Sequence, residues 1–157
     1  MLVVADSSPL IFLSRAGLLE VLARVFGRVV VPAVVWAEVI GTRPDAHGTV
    51  DLRAAAWVLV DGRTLPDIDL GLDPGETAAI LLAEALDADL LLIDERAGRA
   101  IAEGRGLAVR GTLGVLVQAR LSGALVALRP ALDAMEAEGF RISPALMAEA
   151  LRRVGEA

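Results

Sequence analysis

The chain has 157 residues and no cysteine, which excludes disulfide bonds and thiolate metal sites. Hydrophobic residues make up 55% of it, yet its apolar stretches are too short or too interrupted to span a membrane. The N-terminus lacks a basic segment and reaches an acid at Asp6, so we expect no signal peptide and a cytoplasmic location. The net charge of −6 argues against a broad nucleic-acid-binding surface. It still allows a local site in which metal ions and a few of the 15 basic residues, all of them arginine, offset the charge.

Short apolar runs alternate with helical patterns along the first half of the chain. Strands are predicted at 2–5, 29–31 and 57–60, and helices at 9–14, 17–26, 32–40 and 50–56. Ser8 before Pro9 is expected to cap the first helix. Residues 41–48 are expected to form a loop or a helix start, and they include the chain's one histidine, His47.

The second half repeats this alternation and then ends in helices. Strands are predicted at 90–93 and 108–110, and helices at 74–86, 94–103, 112–121, 125–137 and 144–154. The order predicts an α/β fold of three layers, α/β/α, with a mostly parallel central sheet and extra C-terminal helices. We expect a single domain over 1–157, in which about 124–157 form a helical extension.

Two aspartates directly follow predicted strands. Asp6 follows the first strand, and Asp94 follows the apolar run at 90–93. Because ligands bind at the carboxyl ends of strands in parallel α/β sheets, both carboxylates are expected to face one crevice. Clustered carboxylates repel one another unless a cation lies between them, and an all-oxygen site suits Mg²⁺ or Mn²⁺. Such a metal activates water and stabilises the charge that develops at phosphorus.

Each candidate acid also has an interpretation that needs no ligand. Asp6 is alternatively a turn or cap residue, and Asp94 stands where a helix N-cap is expected. Glu76 is explained locally as the second member of a capping box that begins the helix at 74–86. Glu38 has only apolar neighbours from 34 to 40, so it belongs either to a solvated stripe or to a buried group with a partner.

Six segments spread over almost the whole chain resemble one family. They are VVADSSPLI at 3–11, VPAVVWAEV at 31–39, LDPGETAAI at 72–80, LLLIDERAGR at 90–99, VRGTLGVL at 109–116 and GFRIS at 139–143. In them the chain resembles the PIN domain, the fold of VapC-type toxins. It resembles more closely a PIN-like branch of small bacterial and archaeal proteins, especially from 72 to 116.

The resemblance implies a catalytic, metal-binding set of four acids. PIN domains carry an Asp after the first strand and a Glu in the helix after the second strand. An acid opens a later helix, and an Asp follows the next strand. These positions match Asp6, Glu38, Glu76 and Asp94. The resemblance also implies one or two Mg²⁺ or Mn²⁺ ions and an RNA substrate.

Four neighbours of these acids are candidate substrate-binding residues: Ser7, Ser8, Arg96 and Arg99. The hydroxyl residue after the first acid is similar to one in the family, where it hydrogen-bonds a ligand carboxylate. The two arginines lie three residues apart on one predicted helix, where they would hold a phosphate near the metal. Alternatively, they form a solvated helix face or a salt bridge with Glu103.

The chain departs from the family pattern at three positions. Glu76 stands where Asp is common, and Leu92 stands where many PIN domains have Ser or Thr. Glu95, beside the fourth acid, is either an extra ligand or a solvent-facing residue. The number of metal ions and the activity are therefore open at this stage.

The resemblance implies a metal-dependent endoribonuclease, including the toxin of a toxin–antitoxin pair that a small antitoxin protein neutralises. The high apolar content suits a homodimer or a bound partner. The competing interpretation is a catalytically weak or inactive PIN-like protein that acts through protein–protein interaction. A phosphodiesterase that acts on DNA is a third.

Overall fold

A five-stranded, all-parallel sheet forms the centre of the protein. The computed structural model describes residues 1–41 and 49–157, with side chains for all of these except 49–51. The predicted loop around His47 lies outside the described residues. The strands are β1 (Val3–Ala5), β2 (Val29–Pro32), β3 (Val58–Asp61), β4 (Leu90–Leu92) and β5 (Val109–Arg110). Their order across the sheet is β3-β2-β1-β4-β5.

Helices connect the strands and complete the predicted α/β/α architecture, which is confirmed. In the described ranges they are α1 (Ser7–Arg15), α2 (Glu20–Phe26), α3 (Ala33–Gly41), α4 (Thr49–Ala54), α5 (Pro74–Ala85), α6 (Arg96–Gly104), α7 (Thr112–Leu121), α8 (Leu128–Ala137) and α9 (Pro144–Arg153). None of these helices has the length and apolar content needed to cross a membrane.

The three central strands are buried along their whole length. Every residue of β1, β2 and β4 is buried, as expected of parallel strands that are covered on both faces. This explains why each of them is a continuous run of apolar residues rather than an alternating one. The largest core side chains include Leu10, Leu13, Ile80, Leu91 and Leu116.

The strand order places a crevice at the end of β1. Strands β2 and β3 lie successively on one side of β1, and β4 and β5 lie on its other side. The Asp6 N–H donates a 2.9 Å hydrogen bond to the Leu92 carbonyl, which holds the ends of β1 and β4 together. In open parallel sheets such a reversal of strand order is the usual location of a ligand crevice.

The first helix begins earlier than predicted. The prediction that Ser8 caps it is wrong, because α1 begins at Ser7 and Asp6 occupies the N-cap position. Pro9 thereby falls within the first turn, where its missing N–H costs nothing, since the first four N–H groups of a helix have no partner inside it.

The last two helices pack against the rest of the protein. Helix α8 contacts α1 and α7, and α9 contacts α7 and α8. After α9, the carboxylate of Glu156 accepts hydrogen bonds from the N–H groups of Leu128 and Arg129, at 2.7 and 3.1 Å, and pairs with Arg120. The division into a single domain with a helical extension over 124–157 stays a prediction.

Candidate metal centre

Asp6 is a buried carboxylate without a complete set of hydrogen bonds. It directly follows β1, and its side chain is only 2% exposed. Its Oδ1 atom has no hydrogen-bond partner among the described residues. Asp6 occupies the N-cap position of α1, but its side chain makes no capping hydrogen bond there. Since a buried charged oxygen is costly without a partner, Asp6 is poorly explained as a turn or cap residue alone.

Three carboxylates lie around Gly75. A Cβ atom built on Gly75 would lie 2.5 Å from Glu38 Oε2 and 3.6 Å from both Asp6 Oδ1 and Asp73 Oδ1. Glu38 itself is exposed, on α3, and so approaches this point from the solvent side. The missing side chain at Gly75 therefore leaves room for acids from β1, α3 and the start of α5.

Glu76 is buried on the first turn of α5 and is 7% exposed. The predicted capping by Asp73 is confirmed, because Asp73 Oδ1 accepts a 2.7 Å hydrogen bond from the Glu76 N–H. The capping box does not account for the Glu76 side chain, however. Its Oε2 atom has no hydrogen-bond partner in the part of the chain that the structure describes. It lies 2.6 Å from the position that a Cβ on Gly98 would take.

Asp94 is held by the residue that opens α7. The Thr112 N–H donates to Asp94 Oδ1 at 2.6 Å, and the Thr112 hydroxyl donates to Oδ2 at 2.8 Å. The expected N-cap role of Asp94 is wrong, because Glu95 occupies that position before α6. A Cβ on Gly111 would lie 3.1 Å from Asp94 Oδ1 and 3.4 Å from Arg99 Nη1, so this arginine is the neighbouring cation.

Burial raises the pKa of Asp6 from its ordinary value of 3.8 to about 6. The negative charges of Asp73, Glu38 and Asp94 contribute to this increase in the pKa, and the Ser7 backbone N–H opposes it. The carboxylate of Asp6 therefore interacts electrostatically with Glu38, Asp73 and Asp94, although these acids come from separate parts of the chain.

Burial also raises the pKa of Glu76, from 4.5 to about 8, and a hydrogen bond and repulsion from Asp73 add to this. The pKa of Asp94 is raised by burial too, but the two Thr112 hydrogen bonds and the charge of Arg99 oppose the increase. Asp6, Glu76 and Asp94 therefore each favour a bound proton, or another cation, over an isolated negative charge.

The donor set fits a hard divalent cation. As the described side chains stand, no three Asp, Glu or His residues converge closely enough to enclose an ion. Even so, Asp6 Oδ1 and Glu76 Oε2 are buried oxygens without partners, and Gly75 leaves space between carboxylates. Carboxylate oxygens are the ligands that Mg²⁺ and Mn²⁺ prefer, with water completing the shell.

Among the described residues, no hydrogen bond joins the hydroxyl groups of Ser7 and Ser8 to a carboxylate. Ser7 is buried and contributes its backbone N–H to Asp6. Ser8 lines a cleft of about 560 Å³ that also reaches Asp94 and Glu95. Glu95 is exposed, and its charge raises the pKa values of Glu76 and Asp94.

The two predicted phosphate-binding arginines differ in position. Arg96 is exposed at the start of α6, whereas Arg99 is half-buried and faces Asp94. The alternative salt bridge to Glu103 does not form. Ion pairs in the described ranges join Arg63 to Asp61, Arg105 to Glu84 and Arg120 to Glu156.

Sequence reasoning missed Thr112 and the glycines beside the acids. Gly75 directly precedes Glu76, Gly98 directly precedes Arg99 and Gly111 directly precedes Thr112, all within segments that the family resemblance already marks. A glycine directly before an acid or a threonine, after a strand or at a helix start, is the signal that would have found them.

Comparison with protein families gives one match over almost the whole chain. The family model described as a PIN domain matches residues 2–156. No curated protein and no solved structure matches significantly.

Proposed function

The chain belongs to the PIN-domain family, whose members are generally nucleases, and from this premise we propose that it is a metal-dependent ribonuclease. The proposed metal ligands are Asp6, Glu38, Glu76 and Asp94. The observation that carries the proposal is the pair of buried carboxylate oxygens, Asp6 Oδ1 and Glu76 Oε2, that lack hydrogen-bond partners within the described part of the chain. They lie where the strand order reverses, beside two further acids.

The residues at this site have different proposed roles. Asp6 and Glu76 are buried, so they hold a cation away from bulk solvent, while exposed Glu38 completes the set from the outer side. Thr112 keeps the Asp94 carboxylate in one orientation. Arg99 beside Asp94 provides a positive group for a substrate phosphate. When bound, Mg²⁺ or Mn²⁺ supplies Lewis-acid stabilisation of the charge at phosphorus and lowers the pKa of water.

The substrate, the biological role, the oligomeric state and the location are also proposals. RNA as the substrate, a toxin role with a small antitoxin partner, and a homodimer rest on the sequence resemblance and the apolar composition. A cytoplasmic location rests on the N-terminal sequence.

The test is cleavage of a single-stranded RNA by the purified protein with Mn²⁺, compared with the same reaction in EDTA. We expect Asp6→Asn, Glu76→Gln and Asp94→Asn each to lower the rate at least about 100-fold, a loss comparable to removing one group that stabilises transition-state charge. The matched control is Glu103→Gln, an exposed acid on α6 that does not face the crevice; it should keep the wild-type rate.

Thermal unfolding separates loss of function from loss of fold in these variants. If the Asp6→Asn variant and the Asp94→Asn variant both still cleave RNA at the wild-type rate, the proposed metal site is wrong. Absence of cleavage, together with absence of Mn²⁺ binding by calorimetry, would instead favour a non-catalytic interaction protein.

A further inference from the structure

A cleft of about 560 Å³ runs from Asp94 to the last helix. One side of it carries two aromatic rings, Phe12 from α1 and Phe140 from the segment before α9, which meet edge to face with centroids 5.2 Å apart. Their partly buried rings form an apolar surface, and Leu113, Val117 and Leu146 also line the cleft with apolar side chains.

Three arginines line the same cleft. Arg99 lies at its inner end beside Asp94, whereas Arg141 and Arg153 are exposed along its outer part. None of the three belongs to an ion pair among the described residues, since the arginines that do are elsewhere in the protein. Two of the three, Arg141 and Arg153, therefore place positive charge at the outer part of the cleft, in a chain whose net charge is −6.

The acids of the cleft are concentrated at its inner end. Asp94 and Glu95 belong to the candidate metal centre, and Glu149 lies on α9, one helical turn before Arg153, without an ion pair to it within the described structure. The charge therefore changes from acidic at the metal centre to predominantly basic at the outer end. That arrangement suits a phosphate backbone which crosses the metal centre and continues outward.

We propose that this cleft binds a nucleotide of single-stranded RNA that flanks the bond to be cut. Its base stacks on Phe140, and its phosphates contact Arg141 and Arg153. Aromatic stacking combined with arginine contacts to the backbone is the usual chemistry of single-strand binding. The volume is in the range of small-ligand sites, so it takes an unpaired nucleotide, whereas paired bases in a duplex are already stacked and inaccessible. The inference rests on the proposed function in that it assumes an RNA substrate.

Adjacent arginines on α9 offer a matched pair of variants. The readout is fluorescence anisotropy of a labelled, single-stranded RNA oligonucleotide in EDTA, where binding is measured without cleavage. Arg153→Gln should weaken binding several-fold and lower the slope of log affinity against log salt by about 0.7, the value for one phosphate contact on a single strand. Arg152→Gln changes the neighbouring exposed residue, which does not line the cleft, and should leave both quantities unchanged.

Phe140→Leu tests the stacking surface. Leucine keeps much of the apolar contact with Phe12 but has no aromatic face, so we expect at least about a five-fold loss of single-strand affinity. Thermal unfolding checks that the variant is folded. A duplex of the same sequence should bind wild-type protein more weakly than the single strand.

The outcomes separate this inference from the proposed function. Equal affinities for Arg153→Gln and Arg152→Gln, with Phe140→Leu like wild type, would overturn the inference even if the protein cleaves RNA. Equal binding of duplex and single strand would also overturn it. If the protein cleaves nothing, yet single-strand binding falls with Arg153→Gln and Phe140→Leu, the inference stands and the nuclease proposal fails.

Discussion

Thr112 positions a carboxylate without adding charge to it. Its backbone N–H and its hydroxyl each bond a different oxygen of Asp94, and the residue is fully buried. Because both oxygens are held, the carboxylate keeps one orientation, and its outward lone pairs remain for a cation. Hydrogen bonds of this kind to metal ligands commonly change metal affinity or activity 10- to 100-fold when they are lost.

Replacing Thr112 with valine isolates the hydroxyl bond. Thr112→Val keeps the shape and the backbone N–H but leaves Asp94 Oδ2 without its donor. We expect Mn²⁺ affinity and RNA cleavage to fall by about 10-fold. Thr112→Ser, which restores the hydroxyl, should recover most of both. Calorimetric Mn²⁺ titration measures the affinity, and an unchanged affinity in Thr112→Val would contradict the positioning role.

Only part of the candidate site was predictable residue by residue. Asp6 and Asp94 stood out because they follow apolar strand runs, and the structure places both at one crevice. Thr112 did not stand out, since its partner lies 18 residues earlier in the chain and no local pattern connects them. The role of Gly75 was hidden for the same reason, because the side chains it makes room for come from other elements.

At the scale of elements, local patterns predicted the helices better than their starting points. Helix α7 spans the predicted 112–121. Helix α8 begins at Leu128 rather than at 125, because its first N–H groups are capped by Glu156, a residue 28 positions away. A cap supplied from the far end of the chain leaves no trace in the local sequence, whereas the capping box that contains Glu76 is local and was recognised, with Asp73 as its N-cap.

A residue with an unfavourable backbone conformation follows the C-cap of α5. Asp87 has φ of 51°, in the left-handed region, just beyond the C-cap Leu86. Its N–H bonds the Glu84 carbonyl, and the next N–H bonds the Ala83 carbonyl, which together form a Schellman motif. Glycine is the residue that this position favours, and a negative side chain there also opposes the helix dipole.

Asp87→Gly should therefore increase the free energy of unfolding by about 1 kcal/mol. Urea denaturation measures the change, and RNA cleavage should be unaffected because Asp87 is exposed and precedes β4, whereas Asp94 follows the opposite end of that strand. Asp87→Ala serves as the control. It removes the charge but keeps a Cβ, so it should gain less than glycine; an equal gain would assign the effect to charge alone.

At the scale of the whole molecule, the sheet explains why the acids meet. Alternating patterns predicted a mostly parallel sheet, and the sheet is wholly parallel. The order of its strands was not predictable, because the continuous apolar runs of β1, β2 and β4 do not specify which strand lies beside which. That order, with β4 beside β1, is what joins Asp6 to Asp94 and concentrates negative charge at one end of the sheet.

This concentration of charge makes the stability of the metal-free protein depend on pH. Folding raises the pKa of Asp6 to about 6 and that of Glu76 to about 8, so the folded state binds more protons than the unfolded chain. The resulting stabilisation is fully present below the unfolded pKa values, near 4, and is lost as pH rises through the folded ones. Stability in EDTA should therefore decrease between pH 5.5 and pH 8.5.

We expect a decrease of a few kcal/mol over that range, since one pKa unit corresponds to about 1.4 kcal/mol. Urea denaturation at several pH values measures it. The Asp6→Asn, Glu76→Gln double variant should show a much flatter profile, because it lacks the two carboxyl groups whose pKa values are raised. With excess Mn²⁺ the wild-type decrease should shrink, because the ion replaces the protons. A wild-type profile as flat as that of the double variant would contradict the raised pKa values.

The dispersal of the acids along the chain also has a kinetic consequence. The proposed ligands Asp6, Glu38, Glu76 and Asp94 come near one another only when β4 has paired with β1 and α3 has packed against α5, and these contacts join distant parts of the sequence. Closing such long loops is slow relative to forming local helices. During refolding, helical circular dichroism should therefore recover before Mn²⁺-binding capacity does, and the order of these two signals would report when the last long-range pairing is complete.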